Sequence, residues 1–143
     1  MDECSSFETP FLYSNKDYYI RAVRLNMIRK NGEIKDCVFK SKKGGVSVTR
    51  SNDDLYNCAM KYMETHFEGI MLAFQERVCV EVDIFEKHSP TPGHNLHHWE
   101  LYGSKSEIEL SDSQINAIID EIYSCDKNNE LYDHKNIIKP IRC

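Results

Sequence analysis

The sequence predicts one α+β domain, a mainly antiparallel sheet of five to six strands with two amphipathic helices packed on one face. Three observations lead there. Short alternating or apolar runs recur over residues 17–28, 37–41, 46–50, 69–74, 78–85 and 96–102. Two stretches, 52–67 and 112–125, instead carry apolar residues at helical spacing. The chain has 143 residues, 41% of them hydrophobic, with only 4 Pro and 6 Gly, which fits a single folded domain.

Residues 1–15 show no periodicity and read as a flexible N-terminal arm, leaving 16–143 as the domain. The run DYYIRAVRLNMI mixes aromatic and β-branched residues, as strands do. Lys30, Asn31 and Gly32 read as a turn, because Asn-Gly tolerates positive φ. CVFKS and VSVTR then flank a Lys-Lys-Gly-Gly hairpin tip. Ser51 is the expected N-cap of the first helix, whose buried stripe would be Leu55, Ala59, Tyr62, Met63 and His66, with Gly69 as its stop. GIMLAF is short and wholly apolar, a central strand. VCVEVDIF alternates and reads as a half-buried strand, and LHHWELY as the last one. Ser111 and Gln114 have the spacing of a capping box, followed by Ile115, Ile118, Ile119 and Ile122 on one helix face. The segment NIIKPIRC at the C-terminus suits a short edge element.

No apolar run approaches the roughly 20 residues that span a bilayer, so no membrane role is expected. The opening MDECSSFETPFLY lacks the basic-then-apolar pattern of a secretory signal, so a soluble cytoplasmic protein is the expectation. The six cysteines contain no Cys-x-x-Cys pair and read as reduced thiols, Cys58 and Cys79 as small core residues. Charge is polarised. Residues 16–50 carry ten Lys/Arg against Asp17, Glu33 and Asp36, a balance of +7, while 51–143 carry eight against seventeen acids, a balance of −9. Such a distribution complements itself within the molecule or between subunits, or meets a partner. Arg21, Arg24, Arg29, Lys40, Lys42 and Lys43 would be the nucleic-acid contacts, but a net charge of −5 argues against a dedicated binder. Lys42 to Gly45 lack the spacing of a phosphate loop.

The densest chemistry lies in PTPGHNLHHWELYG. With His88 it gathers four of the six histidines, Glu100 and the single tryptophan. Strand alternation over 96–102 sends Trp99 and Leu101 to the core and turns His98 and Glu100 outward together, with His94 nearby. His94, His98 and Glu100 are therefore the candidate metal ligands, a two-imidazole, one-carboxylate set suited to a divalent metal such as Zn. His98 and Glu100 are also the candidate acid–base pair, with Arg24, on the Ile20/Ala22 face of the first strand, holding an anion. The spacing H-x-x-H-H-x-E matches neither H-E-x-x-H nor the deaminase signature. In chain order, Arg24, Ser47 and Glu100 resemble the Arg, Ser and Glu of ADP-ribosyl-transferring folds, but no flanking motif accompanies them and no family follows. Two function classes result: a small interaction module, binding a protein partner or its own copy, and a metal-dependent hydrolase or group transferase centred on residues 94–100.

Overall fold

A computed structural model of the chain describes residues 4–29, 33–41 and 44–126, of which residues 124–126 are described by their backbone alone. The strands are β1 (Tyr18–Val23), β2 (Val46–Ser51), β3 (Ile70–Gln75), β4 (Phe85–His88) and β5 (His98–Tyr102); the helices are α1 (Tyr56–His66), α2 (Arg77–Glu81) and α3 (Asp112–Asp126). The strands form one sheet in the order β3-β1-β2-β5-β4, and every neighbouring pair is antiparallel. The α+β class and the five-stranded antiparallel sheet thus stand as the sequence predicts.

Register assigns the side chains to two faces. Tyr19, Val23, Val48, Leu72, Phe74 and Leu101 join the main core with the α3 stripe Ile115, Ile118, Ile119 and Ile122. Ile20, Met71 and Ala73, the alternate positions of β1 and β3, pack instead with Ala59, Met60 and Met63 of α1. The two long helices therefore cover opposite faces, which corrects the expectation of one shared face. The cause lies in β1 and β3. Both are buried on both sides, β3 although it is an edge strand rather than the central one expected of GIMLAF, so each needs a cover above and below.

Helix α3 starts as its sequence indicates. Ser111 N–H donates to Gln114 Oε1 at 2.9 Å and Gln114 N–H donates to Ser111 Oγ at 3.2 Å, a reciprocal cap that contributes about 1 kcal/mol. Ser51 does not cap helix α1, because it is still part of β2 and fully buried; α1 starts after Leu55 with no side-chain cap, and Asn52 Oδ1 closes the preceding turn by accepting from Leu55 N–H at 2.9 Å. Gly69 stops the connection to β3 with φ +106.

Two expected strands are not strands. Residues Asp36–Phe39 form a 3-10 turn that buries Val38 and Phe39 side by side, which an alternating strand cannot do. In VCVEVDIF, Val78, Cys79 and Val82 also fit helical spacing, and this pattern wins: Arg77–Glu81 is α2, leaving Val80 63% exposed. Asp83, at φ 57, then turns the chain into β4.

The N-terminal segment, expected as a loose arm, is docked on the domain. Phe7 is buried in the α1 cluster, and Cys4 is disulfide-bonded to Cys58 of α1. That bond corrects the expectation of six reduced thiols. Two cysteines distant in sequence meet only once the segment folds over α1, which spacing cannot reveal. By loop-closure entropy a bridge across 54 residues contributes about 4 kcal/mol. Cys37 is a free exposed thiol and Cys79 a free buried one. No helix among the described residues is long and apolar enough to cross a membrane. The turn expected at 30–32, Lys42 and Lys43, the Cys125 side chain, and the tail with Cys143 lie outside the described residues.

Candidate functional site

Strand β5 sorts the histidine segment as alternation requires. Trp99 packs against the main core and Leu101 is buried in it, while His98 and Glu100 share the other face. The strand begins at His98, however, not at 96. Residues 91–95 close on themselves through the Thr91–Asn95 bridge, with Asn95 Nδ2 donating to Thr49 Oγ1 at 2.9 Å. His94 sits exposed on that loop and lines a different surface from His98.

The expected constellation does not assemble. His98 Nδ1–H donates to the Ser89 carbonyl at 2.8 Å, and Glu100 accepts from the Tyr102 hydroxyl at 3.1 Å. No three His, Cys, Asp or Glu side chains among the described residues are grouped to hold a metal ion. Arg24 does not point inward either: it is exposed just beyond the end of β1, at the start of the Leu25–Met27 turn. Ser47 faces Glu100 across the β2–β5 ladder, so the Ser and Glu of the transferase-like order are neighbours while its Arg is not. Of the basic residues, Arg21 donates to the carbonyls of Val38 (2.7 Å) and Ser47 (2.8 Å), Arg29 pairs with Glu33, and Lys40 with Asp36.

The buried arginine is Arg50. Its Nε donates to Asp17 Oδ2 at 2.8 Å, Nη1 to the Tyr19 hydroxyl at 3.0 Å and Nη2 to the Ser14 carbonyl at 2.9 Å. Glu86 lies 3.6 Å from Nη1. The guanidinium carbon stands 4.6 Å from the Trp99 ring and 5.0 Å from that of Tyr13, within cation–π range. The Arg50–Glu86 pair joins the basic stretch 16–50 to the acidic remainder. Burial, with the buried Glu76 carboxyl beside it, pushes the Glu86 carboxyl up to about 7, although the Tyr19 hydroxyl and Arg50 pull the other way. Burial likewise raises the Cys79 thiol, so it is an inert core group.

Sequence reasoning missed this cluster, although one signal was present. Arg50 ends an alternating strand in phase with Val46 and Val48, both inward, so an inward arginine was readable. Its partners were not, because Tyr19 meets Arg50 only through the β1–β2 register and Glu86 only once α2 shortens β4.

His97 is the one histidine of the segment that is fully buried. Nε2–H donates to the Phe7 carbonyl at 2.6 Å, and Nδ1 lies 2.8 Å from the Tyr13 hydroxyl, which donates to it in the neutral tautomer. Desolvation holds its pKa below the usual value. Both partners belong to the N-terminal segment, so His97 is a docking post for that segment.

Beside this post lies a cleft of about 430 Å³ between the N-terminal segment, α1 and the 91–96 loop. Phe7, Tyr62 and Leu96 provide apolar walls; Glu8, His66 and His94 provide ionisable ones. Tyr62 and His66 stack at 4.2 Å, one helical turn apart. A smaller cleft of about 210 Å³ continues past Phe7 and Tyr62 to Cys4, Cys58 and Lys61.

No family model, curated protein or solved structure matches this chain.

Proposed function

We propose that the chain is a binding module for a protein partner, and that the cleft between the N-terminal segment, α1 and the 91–96 loop receives a short segment of that partner. The cleft itself carries the reading. Its volume of about 430 Å³ is in the range of ligand-binding concavities, roughly 300–1,000 Å³. Its mixed walls suit one apolar or aromatic anchor with a polar flank, the pattern of interface anchors. The residues expected to carry a metal or anion site are not gathered into one. Arg50 spends its donors on Asp17, Tyr19 and Ser14, and His94 is not with His98 and Glu100. Polarised charge along the chain would speed encounter with a partner of complementary charge. A cytoplasmic setting belongs to this reading, and disulfides there are transient and redox-sensing rather than permanent staples.

Selection of a displayed peptide library on the purified chain tests the reading. Enriched peptides should share one apolar anchor, and Tyr62→Ala and His94→Ala should each weaken their binding about tenfold, the size of a modest interface contact. No enrichment, or affinity unchanged in both variants, would remove the cleft from consideration. A second copy of the chain as the partner would appear instead as salt-dependent mass in light scattering.

A further inference from the structure

We propose that Cys4 and Cys58 are a reversible redox pair whose closure clips the N-terminal segment against the cleft, and whose reduction by a dithiol loosens that wall. The proposal rests on the binding reading only for its consequence on the partner; the clip and its opening stand on the geometry of the segment.

Three observations converge. The bond is not sealed in the core: Cys4 and Cys58 are both half-buried and line the smaller cleft with Lys61, Thr65 and His66, so both residues border solvent. Cys58 lies in the first turn of α1 and Lys61 one turn later in the same cleft, so helix dipole and ammonium both stabilise a departing thiolate. The bond acts directly on the wall. Cys4 immediately precedes the 3-10 turn Ser5–Glu8, and Phe7 and Glu8 of that turn line both clefts.

The segment's remaining fastenings all lie C-terminal to Cys4. Phe7 is buried against Tyr62 and His97, with ring centroids 5.9 and 4.7 Å away, and its carbonyl accepts from His97. Tyr13 reaches His97, and the Ser14 carbonyl accepts from Arg50. Phe11 packs on the His97 ring at 4.3 Å, whereas Leu12 is 92% exposed. Opening the disulfide thus frees the Cys4 end first, while the Tyr13–Ser14 end keeps its ties to β2 and β5. The result is a local opening of the wall around Phe7 and Glu8, not an unfolding of the domain.

The chemistry balances with a dithiol as reductant. One of its thiolates attacks a sulfur of the Cys4–Cys58 bond, forming a mixed disulfide and expelling the other cysteine as a thiolate, which takes up a proton. The second thiol of the reductant then attacks the mixed disulfide. The first cysteine leaves as a thiolate and is protonated, and the reductant departs as a disulfide two electrons poorer.

The test compares the full-length chain, air-oxidised and then treated with dithiothreitol, by limited proteolysis with mass mapping of the cut sites. Reduction should speed cleavage within residues 5–13 about tenfold or more while the rest of the domain keeps its rate. Cys4→Ser should cut at the reduced rate whether or not dithiol is present. Phe7→Ala, which leaves both sulfurs in place, should remain redox-responsive even if its fold is weakened, so the outcome does not depend on one variant folding. Equal cleavage of oxidised and reduced protein, or thiol titration finding Cys4 and Cys58 unpaired after oxidation, overturns the redox pair. Peptides from the library should bind the two redox forms with affinities differing at least about fivefold. If the segment opens but affinity stays constant, the gating of the cleft is overturned. If no peptide binds either form, the binding reading fails, and the proteolysis still decides the redox pair.

Discussion

Tyr19 and Arg50 stand opposite each other in the β1–β2 ladder, and the Tyr19 hydroxyl accepts from Arg50 Nη1 while donating to Glu86. Through that hydroxyl a central strand pair is tied to the edge strand β4. The tie is made of charges held in the core, so its energetics are asymmetric: complete, it is near neutral, and broken, it is costly.

Replacing Arg50 exposes that asymmetry. Arg50→Met should destabilise the protein by about 3–5 kcal/mol, because Asp17, 1% exposed, loses its counter-charge while remaining buried. Arg50→Lys keeps the charge but loses the fork that serves Asp17, Tyr19 and Ser14 at once, and should also destabilise. Urea denaturation at neutral pH measures both. A loss under about 1 kcal/mol in Arg50→Met would mean that the cluster relaxes and admits water.

Glu86 makes stability fall as pH rises. Its carboxyl binds a proton more tightly in the folded chain than in the unfolded one, with a folded pKa of about 7. This contribution is fully present below the ordinary carboxylate pKa and is lost as pH climbs through about 7. Glu86→Gln lacks it. Relative to the natural protein, the variant should therefore gain on the order of 3 kcal/mol between pH 4.5 and pH 8, read from denaturation midpoints at each pH. A difference independent of pH would show that Glu86 titrates as an ordinary surface acid.

His97 acts with the opposite sign. Desolvation lowers its folded pKa, so the unfolded chain takes up the proton first as pH falls. Its contribution is present above about pH 6.5 and is lost below it. Acid should loosen the N-terminal segment in particular, because His97 carries the hydrogen bonds to Phe7 and Tyr13. Trp99, the only tryptophan, packs 5.2 Å from the Tyr13 ring, so its emission between pH 7 and pH 5 reports the change. In His97→Gln that acid-dependent step should disappear.

Gly69 is required by both conformation and space. At φ +106 any side chain is strained, and a Cβ there would lie 2.2 Å from the Val23 carbonyl oxygen. Gly69→Ala should cost about 2 kcal/mol or more and shift the first pair of the β1–β3 ladder, Val23 with Ile70. Thermal melting and amide exchange at Ile70 check it. An unchanged melting temperature would show that the turn after α1 has another conformation open to it.

By itself the sequence determined what rests on near neighbours in the chain. The helix α3 with its Ser111–Gln114 cap, the apolar strand that became β3, and the sorting of Trp99 and Leu101 from His98 and Glu100 all follow from spacing and local hydrogen bonding. Where two periodicities fitted the same residues, as in VCVEVDIF, local information was degenerate and the core chose the helix. Only the tertiary structure decided what depends on long-range register: that the helices take opposite faces, that Arg50 rather than Arg24 is the inward cation, that His94 leaves His98 and Glu100, and that Cys4 reaches Cys58. Each joins residues distant in the chain, and such partners are set by burying both faces of one sheet at once, a condition that no short stretch of sequence expresses.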